Sequence, residues 1–551
     1  MSSEPRISTL DGRHRMLVEW NATHAEYPRA ACIHQLFEEQ ARRTPDAVAL
    51  VCGDQELTYR ELDARADRLA RYLQGVGVGP DVLVGICMHR CVELIVGILG
   101  TLKAGGAYVP LDPSYPKKRL AAMFEDIDIA VLLTKERLVP GLPEHEATAI
   151  CLDRDWDAVV AGAAAADTSR PAAVSVRNLA YVIFTSGSTG KPKAAAVYHG
   201  GWTNLMHWFV TEFAIAAADR VLVVSSFSFD ITQRSIVMPL IAGAQLHLAA
   251  SEFYNPAQVA QTIADRRITL MNCSPSMFYL LVENPDASAY ARLGSLRIVF
   301  LGGEAISATR LRAWAEAAAG STEVVNVYGA AECTDVSSFY RLRDYERYAK
   351  TSVPIGKPIA NSQVYVLDER LEPVPFGTSG EICIAGDGIG KGYINDEAMT
   401  AAKFVPDPFG GDPHARLYKT GDVGRFLPDW NLEFVGRVDH QVKLRGFRID
   451  LGDIEAALRQ SPAVTEAVVL NRQDAAGEQR LTAYVVLRAA PHDASAHLRS
   501  FLKDRLPKYM LPNDFVVLDE MPLSPNGKID RNALRGRLVP TAPQGDTHRG
   551  V

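Results

Sequence analysis

The stretch YVIFTSGSTGKPK, Tyr181 to Lys193, decides how the rest of the chain is read. The apolar run Tyr181–Phe184 has the length and composition of a buried strand. It stops at Thr185 and gives way to Ser186, Gly187, Ser188, Thr189 and Gly190, then Lys191, Pro192 and Lys193. The two glycines let the backbone turn its N–H groups toward an anion. The hydroxyls of Thr185, Ser186, Ser188 and Thr189 add donors, and Lys191 and Lys193 add charge, as a triphosphate requires. The spacing is not that of a Walker A loop, which ends Gly-Lys-Ser/Thr and runs into a helix. Here Pro192 follows Lys191, and a proline has no N–H to offer a phosphate. The loop therefore points to nucleotide chemistry on another scaffold.

The whole chain sets bounds on that reading. At 551 residues it exceeds a single hydrophobic core. A net charge of −7 argues against nucleic acid held by bulk electrostatics. The polar N-terminus MSSEPRISTLDGRHR lacks the apolar core of a signal peptide, and no apolar run approaches a membrane span, so a cytoplasmic protein is expected. Cys87 and Cys91 bracket His89, but nothing downstream completes a four-ligand metal set, and the eight cysteines read as reduced thiols.

Strand and helix signals alternate outward from the loop, predicting an α/β fold of largely parallel, helix-covered sheets. Residues 1–45 read as a connecting segment, with Trp20-Asn21 and His34–Phe37 as its packing points. Thr58 and Glu61 form a capping box before a helix whose face carries Leu62, Ala66, Leu69 and Leu73. Val82–Cys87 reads as a strand, Cys91–Lys103 as a helix, and 161–175 as an alanine-rich linker. The strand-like runs Val221–Val224, Ile268–Met271, Leu296–Leu301 and Val324–Val327 lead into polar or glycine residues, among them Asp230, Gly302-Gly303-Glu304 and Tyr328-Gly329. Ligands sit at such carboxyl ends in open α/β sheets, so these loops should converge. The large body spans 46–436, a polar hinge 437–440, a small α+β domain 441–538, and a polar tail 539–551.

Taken together, LTYRELDARADRLA, LKAGGAYVPLDPSYP, FTSGSTGKPK, Phe229-Asp230, NVYGAAE, GEICIAGDG, YKTGD, GRVDHQVKLRGFRIDLGDIE, LPKYMLP and NGKIDR resemble, in that order, the adenylate-forming superfamily. Within it they resemble the amino-acid-activating adenylation domains of nonribosomal peptide synthetases, over about Trp20 to Leu534. The resemblance implies a small β-barrel subdomain beside the sheets. It also implies a reaction in which a carboxylate and ATP give acyl-AMP and pyrophosphate, followed by transfer to a carrier-protein phosphopantetheine thiol. By resemblance Thr185–Lys193 holds the β- and γ-phosphates, and Gly303, Glu304 and Gly329 fall at nucleotide-contacting positions. Asn326 reads the adenine amino edge, Tyr328 covers its face, Asp422 accepts the ribose hydroxyls, Arg437 contacts the ribose, and Glu332 binds Mg²⁺. Lys528 matches the catalytic lysine, drawing the anionic carboxylate and α-phosphate together. Asp439 matches the hinge about which the small domain rotates between the two half-reactions.

Asp230 matches the aspartate that pairs with an α-ammonium, which favours an amino acid over fatty or aryl acids. The side-chain pocket, again by resemblance, is lined by Ile231, Arg234, Asn272, Phe300, Gly302, Val327, Asp335 and Val336, with Lys528 on the carboxylate. Arg234, Asn272 and Asp335 either bind a polar side chain or, with Arg234 and Asp335 paired, close off a small pocket; buried charges left unpaired would be costly. Ala330 and Ala331 depart from the usual Pro-Thr, which removes a hydroxyl near the metal, and Ala194, Asp450 and Asp453 are milder departures. No carrier motif follows Lys528, so a freestanding enzyme, or one excised from a larger synthetase, acting on a separate carrier protein is expected. A small helper of the MbtH type is compatible with this reading, without a sequence signature to decide it. The competing readings are an acyl- or aryl-CoA ligase of the same superfamily and a non-catalytic nucleotide-binding protein on the same fold.

Overall fold

Short apolar runs separated by amphipathic stretches build three sheets and a smaller C-terminal unit. The computed structural model describes residues 9–165, 173–185, 192–249, 251, 254–283, 287–318, 320–439, 441–444, 446–473, 479–488, 493–522, 529 and 531–535. A nine-stranded sheet has a parallel centre made of Glu323–Tyr328, Ile298–Gly302, Leu270–Cys273, Arg220–Val223, Gln245–Leu248 and Val48–Cys52 in spatial order. Antiparallel strands flank it on both sides. A seven-stranded sheet runs in parallel from Leu179–Thr185 through Ala107–Pro110, Leu83–Ile86 and Ile129–Thr134 to Thr148–Cys151, with Lys193–Tyr198 antiparallel beside the first. Burial on both faces explains why these parallel strands read as continuous apolar runs. The third sheet is five-stranded and antiparallel, centred on the long strand Arg416–Phe426. Gly380–Gly386 lies along one side of that strand, and Phe404–Pro406 and then Leu432–Arg437 along the other.

The capping box is formed. Thr58 Oγ1 accepts the Glu61 N–H at 3.2 Å, and the Glu61 carboxylate accepts the Thr58 N–H at 2.9 Å. The helix Tyr59–Gly75 then buries Leu62, Ala66, Leu69 and Leu73. Two stretches differ from the sequence reading. Residues 161–165 of the expected linker complete the helix Trp156–Ala165, because alanine is the least costly residue in a helix; 166–172 lie outside the described residues. Ile33–Arg43, within the expected connecting segment, is a helix whose Ile33, Phe37 and Ala41 belong to the main core. Ahead of it, Asn21 clamps the third sheet: its Oδ1 accepts the Val364 N–H at 2.8 Å and its Nδ2 donates to the Val364 and Met16 carbonyls. Trp20 Nε1 donates to the Trp430 carbonyl at 2.8 Å.

Beyond Asp439 comes the hairpin Gln441–Leu444/Phe447–Asp450, then the helix Leu451–Arg459. A three-stranded sheet of Val464–Gln473, Gln479–Leu487 and Asp514–Leu518 follows, with the helix Ala494–Lys503 packed on it. This unit has its own core around Ile454, Leu458, Val469, Leu481, Val485, Leu498 and Met510. No helix among the described residues is long and apolar enough to cross a membrane.

One charged group sits inside the helical layer. Lys103, 4% exposed, donates to Asp63 at 2.6 Å and Asp67 at 2.5 Å and lies 3.3 Å from Glu38. Lys103→Ala leaves carboxylates facing one another without their cation. Because these carboxylates are partly exposed, it should destabilise the large domain by about 1–2 kcal/mol, read as an earlier denaturant midpoint; an unmoved midpoint would contradict this packing.

Candidate active site

Strand ends of the two large sheets and the long strand of the third bring several of the expected site residues together. Thr185 pairs with Lys193 across an antiparallel ladder, so the glycine-rich loop returns as a strand and not as a helix. Ser186, Gly187, Ser188, Thr189, Gly190 and Lys191 lie outside the described residues, as does Lys528. Lys193 Nζ stands 5.8 Å from the Tyr393 ring centroid, and the Tyr393 hydroxyl donates to Glu332 Oε1 at 2.7 Å.

The two carboxylates expected at the nucleotide are buried and already paired. Asp422, 3% exposed, accepts from the Tyr328 hydroxyl at 2.7 Å and from Arg437 Nη1. Arg437 also holds Asp439 in a fork, Nε to Oδ1 at 2.7 Å and Nη2 to Oδ2 at 2.8 Å, so one guanidinium joins Asp422 to the expected hinge. Lys443 Nζ lies 3.8 Å from Asp422 and 5.0 Å from the Tyr328 ring centroid. Burial pushes the Lys443 ammonium down while Asp422 opposes it. Glu332, 1% exposed, accepts from Arg448 Nη1 on both oxygens at 3.1 Å. Burial acts to raise the Glu332 carboxyl, but Arg448 and the Tyr393 hydroxyl outweigh it and hold it below its usual range. Asn326 donates from Nδ2 to the Pro354 carbonyl at 2.8 Å.

Lys443 and Arg448 come from the hairpin of the small domain, whose turn is seated against the large one. Gly446 N–H donates to Glu304 Oε1 at 2.6 Å, while Ser276 N–H donates to Glu304 Oε2 at 3.1 Å. Gly446 and Gly303 both have positive φ, +81° and +82°; a Cβ on Gly303 would stand 3.4 Å from the Gly446 carbonyl oxygen, and one on Gly446 would stand 2.8 Å from Ser274 Cβ. Phe447 packs edge-on against Phe229 with centroids 4.6 Å apart and stacks on Tyr509. Gly329 is equally constrained, since a Cβ there would fall 1.9 Å from the Asp335 carbonyl.

The expected substrate pocket lies on neighbouring elements. Asp230 and Ile231 open the helix Asp230–Ala242, and Arg234 lies one turn further along. Asn272 stands beside Phe300 in register, and Gly302 beside Val327. Asp230 Oδ1 accepts the Ile231 N–H at 2.8 Å, and burial raises its carboxyl. Arg234, 2% exposed, donates from Nη1 to both Asp335 oxygens and from Nε to Asn272 Oδ1 at 3.2 Å. Burial raises the Asp335 carboxyl and the Arg234 guanidinium draws it back. Thr334 and Asp335 have positive φ, 58° and 70°, held in part by the Thr334 hydroxyl on the Gly388 carbonyl at 2.6 Å. Val336 is buried behind them. The Arg234–Asp335 pair left open by the sequence is therefore formed, with Phe209 beneath the guanidinium at 5.5 Å.

Lys443, Arg448 and Tyr393 were not singled out in the sequence. The first two alternate with apolar positions in QVKLRGFRID, the pattern of a hairpin presenting one basic face, and that was the available signal. Tyr393 had none.

The model of the AMP-binding enzyme family matches residues 37–394, and that of the AMP-binding enzyme C-terminal domain matches 453–528. A component of the linear gramicidin synthase of Brevibacillus parabrevis is 45% identical over 528 residues, 96% of this chain and 10% of that protein. Tyrocidine synthase 3 of the same organism is 43% identical over 97% of this chain and 8% of its own length. The chain thus spans about a tenth of these relatives. Among solved structures, an artificially fused adenylation–PCP di-domain, NpsA-ThdA from Klebsiella oxytoca, superposes with a TM-score of 0.79 at 27% identity, covering 88% of this chain and 93% of that one. Holo-PA1221, described as containing adenylation and PCP domains, also gives 0.79, at 30% identity over 94% of this chain and 85% of that one.

The buried pair makes a prediction independent of function. Arg234→Met strands Asp335 and should cost about 3–5 kcal/mol, whereas Arg234→Met/Asp335→Leu should recover most of it. Equal losses in denaturant melts of the single and double variants would contradict the pairing.

Proposed function

The chain belongs to the AMP-binding enzyme family, and we propose that it activates an amino acid as its adenylate and passes it to a carrier protein. The amino-acid carboxylate attacks the α-phosphorus of ATP; the new acyl–phosphate bond forms as the α–β bridge breaks, and pyrophosphate leaves. The phosphopantetheine thiol of a carrier then displaces AMP, losing its proton as the thioester forms. The observation that carries this reading is the Asp230 carboxylate at the first residue of the helix that, one turn on, carries Arg234, itself bound to Asn272 and Asp335. A carboxylate there suits an α-ammonium and serves neither a fatty nor an aryl acid. The similarity to adenylation–PCP proteins supports a carrier partner.

The nucleotide roles follow the same reading. Asp422 takes the ribose hydroxyls, with Arg437 beside it; Tyr328 and Asn326 take the adenine; Thr185 to Lys193 take the phosphates; and Gly303, Glu304 and Gly329 contact the nucleotide. Glu332 is a hard oxygen donor oriented by Tyr393 and fits Mg²⁺ next to phosphates. The ion would offset phosphate charge, and Arg448 offsets the Glu332 charge in the docked arrangement. Lys528 supplies the cation that brings carboxylate and α-phosphate together, and rotation about Asp439 exchanges its loop for the Gln441–Asp450 hairpin. The docked arrangement, with Gly446 against Glu304, suits the second half-reaction.

Amino-acid-dependent ATP–pyrophosphate exchange tests the activity. Lys528→Ala should lower exchange at least 100-fold while ATP binding is retained; unchanged exchange would refute its role. Gly446→Val places side-chain atoms against Ser274 and should slow carrier loading at least tenfold with exchange nearly intact. Equal loss of both would contradict a role for the docked hairpin in transfer alone.

A further inference from the structure

The buried cluster around Arg234 contains two donors without an acceptor among the described residues. Arg234 Nη1 is used by Asp335 and Nε by Asn272 Oδ1. Arg234 Nη2 and Asn272 Nδ2 are buried and have no acceptor among the described residues. Nη2 and Nε share one edge of the guanidinium, so the free Arg234 donor lies on the side that meets the Asn272 amide. Nη2 is also 3.9 Å from the position a Cβ would take on Gly302, so it lies beside that strand end. Buried donors without acceptors are expensive to maintain, about 1–3 kcal/mol each. A pocket merely plugged by an ion pair would not need them.

We infer that the amino acid taken by this site carries an uncharged side chain ending in an oxygen acceptor, such as a hydroxyl, carboxamide or ureido group, received by Arg234 Nη2 and Asn272 Nδ2. This rests on the activation reaction proposed above. One carbonyl or hydroxyl oxygen has two lone pairs and can satisfy both donors. The charge balance selects the uncharged class. Both Asp335 oxygens accept from Arg234, so the pair is neutral as a unit, and Asp230 is reserved for the α-ammonium. An anionic side chain would approach Asp335 without a spare cation, and a cationic one would approach Arg234. An apolar side chain would leave both donors buried and unmet. A site with buried hydrogen-bonding groups rejects an analogue that lacks the matching group far more strongly than a hydrophobic slot rejects one methylene.

The test is pyrophosphate exchange by the full chain with isosteric sets: asparagine, aspartate and leucine; threonine and valine; glutamine and glutamate; citrulline and arginine; and glycine and alanine. The preferred substrate should be an uncharged oxygen acceptor, with kcat/KM at least about 100-fold above its apolar or charged isostere. Asn272→Leu should reduce that ratio at least tenfold. Preference for an apolar, anionic or cationic amino acid by the unmodified protein overturns this inference while leaving the activation reaction standing. An unchanged ratio in Asn272→Leu overturns it as well. Absence of exchange with every amino acid tried overturns the activation reaction and this inference together. The wild-type comparison stands whether or not the variant folds.

Discussion

Two buried carboxylates, Asp422 and Glu332, set the terms for the whole molecule. Each is proposed to lie beside the nucleotide, and each would be costly to bury without a counter-charge. Here the cations come from the segment that joins the domains and from the hairpin after it: Arg437 and Lys443 for Asp422, Arg448 for Glu332. The small domain is therefore held on the large one by the same carboxylates proposed to bind nucleotide. That dependence makes docking of the hairpin responsive to what else occupies the site.

The rest of the architecture serves this meeting point. Parallel strands deliver Asn272, Gly302 and Tyr328 to one edge, and the helix beginning at Asp230 returns Arg234 beneath them. Glycine is required where backbones nearly touch. Gly329 clears the Asp335 carbonyl, and Gly446 seats the hairpin turn against Ser274. Arg437 bridges Asp422 and Asp439, so the expected pivot is tied by a single side chain to a carboxylate proposed to bind nucleotide. Exposure of Val438 next to it, at 65%, leaves that short segment little packing to break when it turns.

The fold was legible because its signals are local. Apolar runs ending in glycine or polar residues located the central strands to within a residue or two, and Thr58 and Glu61 marked a helix start that the structure forms. The helix Ile33–Arg43 was harder to read because its few apolar positions acquire meaning only against a core formed from distant residues such as Tyr59 and Leu205. The alanine run at 161–165 lacked contrast between faces, so its helix propensity went unread. At the site, residue types suggested carboxylate and phosphate chemistry, while family resemblance was needed to bring Asp230, Asn272 and Asp335 together. The pairing of Arg448 with Glu332 was not legible, because it depends on where one domain sits on another and not on spacing along the chain.

In the proposed cycle the small domain exchanges the Gln441–Asp450 hairpin for the Lys528 loop as the reaction proceeds. Spin labels placed at Ala313 on the large domain and Ser500 on the small one, both exposed, would report this by pulsed dipolar spectroscopy. Without ligand the distance should match the docked arrangement, and a second, distinct distance should appear with a non-hydrolysable ATP analogue and the preferred amino acid. A single distance unchanged by those ligands would contradict that exchange.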